Sequence, residues 1–591
     1  MSTASAATPA AVAVAAPPAA PAATTTTPAP INTSSSILEK HPRLMDELPK
    51  HAKPAALANK VLAYGTAGFR DNADILGSTF HRMGMLAVLR SKKEHKITGL
   101  MVTASHNAAP DNGVKLVDPD GGMLSQSWEK YAQQLANAPT EKVVEALDSI
   151  VRAEKIDLDQ PGNIFIAKDT RVSSEHLSEL AREGALLVGG NVLDFGLQTT
   201  PQLHHYVRMW NFEQYNKGDW ASETGYYNML VDAFKQLTSG VDPKKLELRT
   251  PLYVDCAHGV GAPQLSKLAK ELGDLLHVEI RNTPADGQLN HECGAEHVQK
   301  GRAPPAGFSR DADRGKRACS LDGDADRVVF HYFDDQGAWH LLDGDKIACL
   351  FADFFADKLA VLELDEISLG VVQTAYANGG AHAYLKAKQI PIGLAKTGVK
   401  YCHHKAMEFD IGIYFEANGH GTVMVKDHVI DRLQKLETAV DDPKKKAAVS
   451  QILAAYQLIN QAVGDALSDL LFVEVLLLQQ NWTIQHWNAI YNDLPSRQTK
   501  VQIADRALVK TTDDETACLA PEALKDAVDA LVAAAGPRAR AFVRPSGTED
   551  AVRVYAEAQT EAAANDLALR VAQAVHAHAA GVGNAPTAFV A

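Results

Sequence analysis

No apolar run in this 591-residue sequence approaches the roughly 20 residues that a helix needs to span a bilayer, which sets aside a membrane-embedded protein. The six cysteines (Cys256, Cys293, Cys319, Cys349, Cys402, Cys518) include no C-x-x-C pair. This argues against a disulfide framework and a zinc site, and a reducing, cytoplasmic setting is expected. Excess positive charge is also missing. The formal net charge is −14 and no basic stripe reverses it locally, so the chain should repel nucleic acid and anionic lipid. Any phosphorylated partner must then be met by small clusters of arginine, lysine and amide groups. Residues 1–36 are almost wholly Ala, Pro, Thr, Ser and Val, with no charge before Glu39, and read as a disordered tail extending to residue 38. They lack the basic n-region of a secretory signal and the arginines of a mitochondrial presequence.

What is present is ordinary for a globular protein: 46% apolar and 22% charged residues, in a chain long enough for about three to five domains. From about residue 60, short apolar strands alternate with helical stretches. Strands are expected at 97–105, 163–169, 252–259, 318–324 and 411–419, and helices at 173–190 and 262–273. Ligands in such α/β sheets gather at the carboxyl ends of strands. After a helical stretch near 445–480, the segment 540–558 reads as two β runs around a Pro-Ser-Gly turn, followed by an alanine-rich helix at 561–579. No internal repeat is evident.

Four of these loops carry chemistry. TASHN at 103–107 places Ser105 at a strand end, where His106 and Asn107 can hydrogen-bond and Lys115 can return after the Asp111-Asn112-Gly113 turn. A serine hydroxyl needs such surroundings to act as a nucleophile. DGDADR supplies Asp322, Asp324 and Asp326, oxygen ligands of the kind magnesium prefers. An EF-hand is excluded because Arg327 stands where glycine is required and Phe333 where glutamate is. EANGHG at 416–421 offers Glu416, Asn418 and His420 around Gly419, a carboxylate and an amide suited to vicinal sugar hydroxyls. RPSGT at 544–548 brings Arg544, Ser546, Gly547 and Thr548 around one turn, with Arg553 on the returning strand, a combination that cradles a phosphate dianion. Two other classes stay open at this point. One is a phosphatase using Asp322 as nucleophile, which leaves Ser105 idle; the other is a catalytically silent sugar-phosphate-binding protein.

In order and content, these four loops resemble the α-D-phosphohexomutases over about residues 60–560. The resemblance implies three related mixed α/β domains and a smaller C-terminal TATA-binding-protein-like α+β domain around a central cleft. The divisions fall at 39–207 (phosphoserine), 208–340 (metal), 341–485 (sugar) and 486–591 (phosphate). It implies that Ser105 carries a phosphoryl group, and that Asp322, Asp324 and Asp326 bind one Mg2+ together with the Ser105 phosphate. Glu416, Asn418, Gly419 and His420 would hold the sugar, and Arg544, Ser546, Gly547, Thr548 and Arg553 the non-reacting phosphate. Arg70, Lys115, Arg327 and His106 fall where the family places charge-neutralising and proton-transferring groups.

Finer features, TASHN leading to DNGVKLVDP, KTGVKYCHHKA at 396–406 and the EANGHG loop, look like the branch acting on N-acetylglucosamine phosphates. Glucose and mannose mutases, the alternative within the family, more often have serine where Asn418 stands. The implied reaction interconverts the 6- and 1-phosphates through a sugar 1,6-bisphosphate, feeding UDP-N-acetylglucosamine synthesis. The partner is a small amino-sugar phosphate, and oligomeric state stays open. Three departures from the family pattern stand out: Ala108-Ala109 before Pro110, His258, and Gly122. The first implies an altered flexibility of the serine loop.

Overall fold

Four sheets, met one after another along the chain, set the architecture in a computed structural model describing residues 36–65, 67–212, 219–241, 250–547 and 549–588. In the first sheet the order is Phe69–Asn72, Asp111–Val117, Thr98–Val102, Gly162–Lys168, Gly190–Leu197. The last three strands are parallel and the first two are added antiparallel. The second repeats this plan with Trp339–Leu342, Val328–Phe333, Ala318–Leu321, Leu252–Asp255 and Val278–Arg281. The third does so with four strands, Gly421–Val425, Ile411–Phe415, Leu369–Thr374 and Ile392–Ala395. The fourth is antiparallel throughout, Ser496–Gln502, Ala551–Glu557 and Arg540–Pro545, with helices Glu522–Ala535 and Glu561–His578 beside it.

The parallel strands are covered on both faces, so they read as unbroken apolar runs; every residue of Thr98–Val102 is buried. Helices Gly77–Glu94 and Ser174–Leu187 cross the first sheet at such close range that a Cβ on Gly84 would lie 1.9 Å from the Ala181 carbonyl oxygen. One face of the first sheet has its own core, while Met101, Val117, Phe165 and Ala167 join it to the continuous apolar core that the second and third sheets share. The fourth has a separate core. It meets the third through a small cluster of Ala375, Phe542 and Tyr555. Among the described residues no helix is long and apolar enough to cross a membrane.

The repeat that sequence inspection missed is one of topology. In each of the first three sheets a strand parallel to its neighbour turns back as an antiparallel hairpin, and the fourth sheet holds a hairpin too. The hairpin connections of the first three sheets are residues 103–110, 322–327 and 416–420, so these three chemical loops occupy one structural position, and the fourth follows strand Arg540–Pro545 of an all-antiparallel sheet.

Three local expectations change. Residues 1–35 of the expected tail lie outside the described residues, but Ile37 and Leu38 are structured: Ser36 caps helix Ile37–Lys40 in a capping box and Ile37 is buried. The helix expected over 173–190 stops at Leu187, and Gly189 (φ 73°) turns the chain into strand Gly190–Leu197. Asp111-Asn112-Gly113 is not the turn. It opens strand Asp111–Val117, and the reversal is made earlier, by the Asp111 amide donating to the Ala108 carbonyl at 3.1 Å.

Candidate functional site

Ser105 sits just past strand Thr98–Val102, fully buried and with φ at +50°. A non-glycine residue holds this left-handed conformation only when its surroundings fix it, and here they do. Its amide donates to Thr103 Oγ1 at 2.9 Å, and its carbonyl accepts from Arg171 Nη2 at 2.9 Å and Asn290 Nδ2 at 2.8 Å. The hydroxyl is thereby aimed across the domain boundary, donating to Asp322 Oδ2 at 2.7 Å. His106 Nδ1 lies 3.4 Å from the same oxygen.

Asp322, Asp324 and Asp326 are buried, and one oxygen from each lies within 4.8 Å of the others. Lys115, reaching in from the first sheet, donates to Asp324 Oδ2 at 2.7 Å and Asp326 Oδ2 at 3.0 Å. Thr200 Oγ1 donates to Asp324 Oδ2 at 2.6 Å, while Asp324 Oδ1 is buried with no hydrogen-bond partner among the described residues. Burial, then Asp326 and Asp324, push the Asp322 carboxyl well above the usual carboxylate range. Burial disfavours the Lys115 charge, yet Asp324 and Asp326 outweigh it and hold the ammonium above its ordinary value.

Around this centre stand Arg327, whose Nη1 donates to Glu296 Oε2 at 2.7 Å, and Arg70, whose Nη1 reaches Asn107 Oδ1 at 3.4 Å. Burial opposes the Glu296 charge, but Arg327 and Lys300 bring its carboxyl down to about 2. Burial and then Arg327 lower His106 to about 3, so the 3.8 Å approach of His106 Nε2 to Glu296 is that of a neutral imidazole.

The Glu416–His420 turn closes strand Ile411–Phe415. Gly419 (φ 85°) leaves no room for a side chain, since a Cβ would lie 2.0 Å from the Val328 carbonyl oxygen. Glu416 Oε1 accepts from the Gly398 amide at 3.1 Å, its Oε2 lies 3.5 Å from Asn418 Nδ2, and His420 Nδ1 is 3.1 Å from Asp326 Oδ1. In the fourth sheet Arg544 and Arg553 face each other in register, with Lys500 next to Arg553. Like charges opposite one another across a sheet are unfavourable without an anion. Thr548 lies outside the described residues.

A cleft of about 680 Å³ joins these parts. Arg70 and Lys115, Asp326 and Arg327, Glu416 and His420, and Arg544 and Gly547 line it, one pair from each sheet's segment. A larger hollow of about 800 Å³, between Thr374 and Arg540, holds none of the residues expected from the sequence, and we place the site in the smaller one. Sequence reasoning missed Arg171, Thr200, Asn290, Glu296, Lys400 and Glu515. Of these Arg171 left a signal, lying two residues beyond Asp169 at a strand end, and Lys400 lies within the KTGVKYCHHKA string without having been singled out.

Family models match most of the chain. The model described as phosphoacetylglucosamine mutase AMG1, domain II, matches residues 217–329, and domain III matches 343–482. The phosphoglucomutase/phosphomannomutase alpha/beta/alpha domain I matches 85–143 and 130–215, and the C-terminal domain of that family matches 507–574. The phosphoacetylglucosamine mutase of Mus musculus is 47% identical, over 91% of this chain and 97% of its own length. The crystal structure of the Aspergillus fumigatus N-acetylphosphoglucosamine mutase with GlcNAc-6P and magnesium superposes with a TM-score of 0.86 at 41% identity, covering 92% of this chain and 100% of that one. A second structure from that organism, holding glucose 1,6-bisphosphate, has a TM-score of 0.85 at 41% identity and covers 93% and 100%. Asp326, a sugar-type loop and a cationic loop thus line one cleft, with Ser105, Asp322 and Asp324 buried beside it, in a chain whose matches to these enzymes cover more than nine-tenths of it, and the chain belongs to the phosphoacetylglucosamine mutases of the α-D-phosphohexomutase superfamily.

Proposed function

We infer that this chain interconverts N-acetylglucosamine 6-phosphate and N-acetylglucosamine 1-phosphate through a sugar 1,6-bisphosphate, in the cytoplasm, supplying the precursor of UDP-N-acetylglucosamine. One observation carries the residue assignment: the 2.7 Å contact of Ser105 Oγ with Asp322 Oδ2, which joins two loops 217 residues apart inside the cleft. Phospho-Ser105 gives its phosphoryl group to the free sugar hydroxyl, breaking the Oγ–P bond as the new O–P bond forms. The bisphosphate turns end for end, and its other phosphate returns to Ser105.

Asp322, Asp324 and Asp326 would hold magnesium together with a Ser105 phosphate oxygen. The all-oxygen donor set fits, and so does the buried, unpartnered Asp324 Oδ1. When bound, the ion neutralises charge on the phosphoryl oxygens. Lys115, Arg327 and Arg70 add fixed positive charge where negative charge gathers in transfer, and His106 flanks the serine oxygen as a neutral group. Glu416, Asn418, Gly419 and His420 orient the sugar ring. Arg544, Ser546, Gly547, Thr548 and Arg553 grip the phosphate that is not reacting, in either substrate orientation. The first, third and fourth sheets each close within one expected segment, but strand Trp339–Leu342 of the second sheet crosses the 340/341 division, which therefore belongs beyond Leu342, and helices Thr200–Asn211 and Ile484–Asn488 span the other two divisions, 207/208 and 485/486. An aspartate nucleophile is disfavoured. Both Asp322 oxygens are engaged, Oδ2 by Ser105 and Oδ1 by the amides of Asp326 and Arg327 at 3.0 and 3.2 Å.

The test is turnover of purified protein with magnesium on N-acetylglucosamine 6-phosphate, glucose 6-phosphate and mannose 6-phosphate. The acetylated sugar should have the highest kcat/KM, and no preference among the three would refute the sugar assignment.

A further inference from the structure

Glu515 was chosen by no sequence motif, yet it ties the fourth domain to the third across the cleft. It sits in the tight turn between strands Lys510–Thr511 and Cys518–Ala520, with φ at +60°. Asp514 Oδ1 pins that turn by accepting from Thr512 Oγ1 at 2.6 Å and Thr516 Oγ1 at 2.7 Å. A charged residue held in the left-handed region is costly unless its side chain has a defined place, and this one does. Glu515 Oε2 accepts from the Thr397 amide at 2.9 Å and from Thr397 Oγ1 at 2.6 Å, and forms an ion pair with Arg544, whose Nε lies 2.9 Å away. The carboxylate lines the same cleft and is 16% exposed.

The connections continue on the far side of Thr397. The next amide, Gly398, donates to Glu416 Oε1 at 3.1 Å, and two residues on, Lys400 Nζ donates to the Leu124 carbonyl at 2.7 Å and pairs with Glu129. The segment 397–400 is therefore a junction where the fourth domain arrives through Glu515, the sugar loop through Glu416 and the first domain through Lys400. Among the described residues the fourth domain shares only the small Ala375–Phe542–Tyr555 cluster with the third and no large core, so polar ties, Glu515 to Thr397 and Arg540 to the Ala375 and Ala377 carbonyls, help set how firmly it sits over the cleft.

We propose that Glu515 is a positioning residue that latches the fourth domain onto the third and aims Arg544 at the substrate phosphate. The pair with Glu515 engages Nε, so Nη1 and Nη2, the edge that grips a phosphate bidentately, are not spent on it. Docking of the fourth domain and alignment of the phosphate-binding arginine then occur together. Resting on the phosphate-site reading given above, this adds a consequence. The bisphosphate must turn over while enclosed, and a weaker latch lets it escape, leaving a dephosphorylated enzyme that depends on added bisphosphate.

Glu515→Gly removes the carboxylate while suiting the +60° backbone, which avoids a variant that fails for reasons of turn strain. Glu515→Gln keeps an acceptor oxygen without the charge. With both monophosphates and a titration of glucose 1,6-bisphosphate, Glu515→Gly should raise KM about tenfold in each direction and raise the half-activating bisphosphate concentration similarly. Its kcat at saturating bisphosphate should stay within about threefold, and Glu515→Gln should fall in between. Adding Thr397→Val to Glu515→Gly should cost nothing more, as expected of residues sharing one interaction. A KM that is unchanged or lower in Glu515→Gly overturns the proposal, the lower value marking Glu515 as a competitor of the phosphate; full additivity with Thr397→Val also overturns it. Arg544→Ala separates the two readings. If it leaves KM unchanged, the phosphate site itself is misplaced; if it raises KM while Glu515→Gly does not, only the latch fails.

Discussion

Replacing Arg171 by lysine should slow turnover about a hundredfold without touching any residue that meets substrate. The guanidinium is wholly buried and donates to four main-chain carbonyls of the serine loop: Ala108 and Asp111 from Nη1 at 2.7 and 2.8 Å, Ser105 and Asn107 from Nη2 at 2.9 Å each. Nε adds a bond to Asp169 Oδ2 at 3.0 Å. Lysine keeps the charge but presents three hydrogens from one atom, so it can serve at most three of these five acceptors. Each lost bond to a charged donor is worth about 1.5 to 3 kcal/mol. Two losses therefore remove roughly 3 to 6 kcal/mol of local order from a loop whose serine is held at a positive φ. Displacing a reacting group by about 1 Å commonly costs ~10²-fold in rate. The assay is steady-state kcat and KM at saturating sugar bisphosphate, with intact mass to follow the phosphate on the serine. KM should stay within about threefold, because Arg544 and Glu416 are on other domains. A kcat within about twofold of wild type would refute the idea that Arg171 sets the geometry of Ser105.

Ser105→Ala should abolish multiple turnover and remove one phosphate from the intact mass, leaving the circular dichroism spectrum unchanged; residual mutase activity near wild type would exclude the serine as carrier. Asp324→Ala should lose magnesium-dependent turnover, since two carboxylates and a phosphate oxygen make a poorer hard-cation site than three, while fluorescence titration still detects monophosphate binding. Wild type that retains full activity after chelation in metal-free buffer would contradict the metal assignment. Asn418→Ser should narrow the ratio of kcat/KM for N-acetylglucosamine 6-phosphate over glucose 6-phosphate, because a site that hydrogen-bonds a substrate group rejects analogues lacking it. An unchanged ratio would move acetyl selectivity elsewhere in the cleft.

What the sequence made legible was chemistry carried by short contiguous strings. Ser105, the aspartate triplet, the Glu416–His420 turn and Arg544 each announce themselves within a few residues, and the cleft brings them together. What it hid was of two kinds. The threefold topology is invisible because a hairpin after a parallel strand can be built from unrelated side chains, so VTASHNAAP, LDGDADR and FEANGHG share a position but none of their reactive residues. The supporting groups are hidden because their meaning lies in distance through space. Thr200 is 124 residues from Asp324, Asn290 is 185 from Ser105, and Thr397 is 118 from Glu515. No local pattern marks a threonine or glutamate as the partner of a residue so far along the chain.

The serine loop shows how such distant partners substitute for a local signal. Phosphohexomutases usually follow TASHN with proline, whose fixed φ stiffens the turn; here Ala108 and Ala109 intervene, and the sequence alone led us to expect an altered loop. In the structure the stiffness comes from hydrogen bonds. The Ala108 carbonyl accepts from Arg171 Nη1 at 2.7 Å and from the Asp111 amide at 3.1 Å, and the Pro110 carbonyl accepts from the Ala73 amide at 3.0 Å. Asn290 Nδ2 closes the loop from the second domain, donating to the Ser105 and Asn107 carbonyls at 2.8 and 2.9 Å. A loop held by its neighbours does not need proline to hold itself, so the departure at Ala108 transfers rigidity from the backbone of the loop to the side chains of Arg171 and Asn290. This is why the perturbation with the greatest leverage on Ser105 lies 66 residues away from it, at Arg171, and not within TASHN.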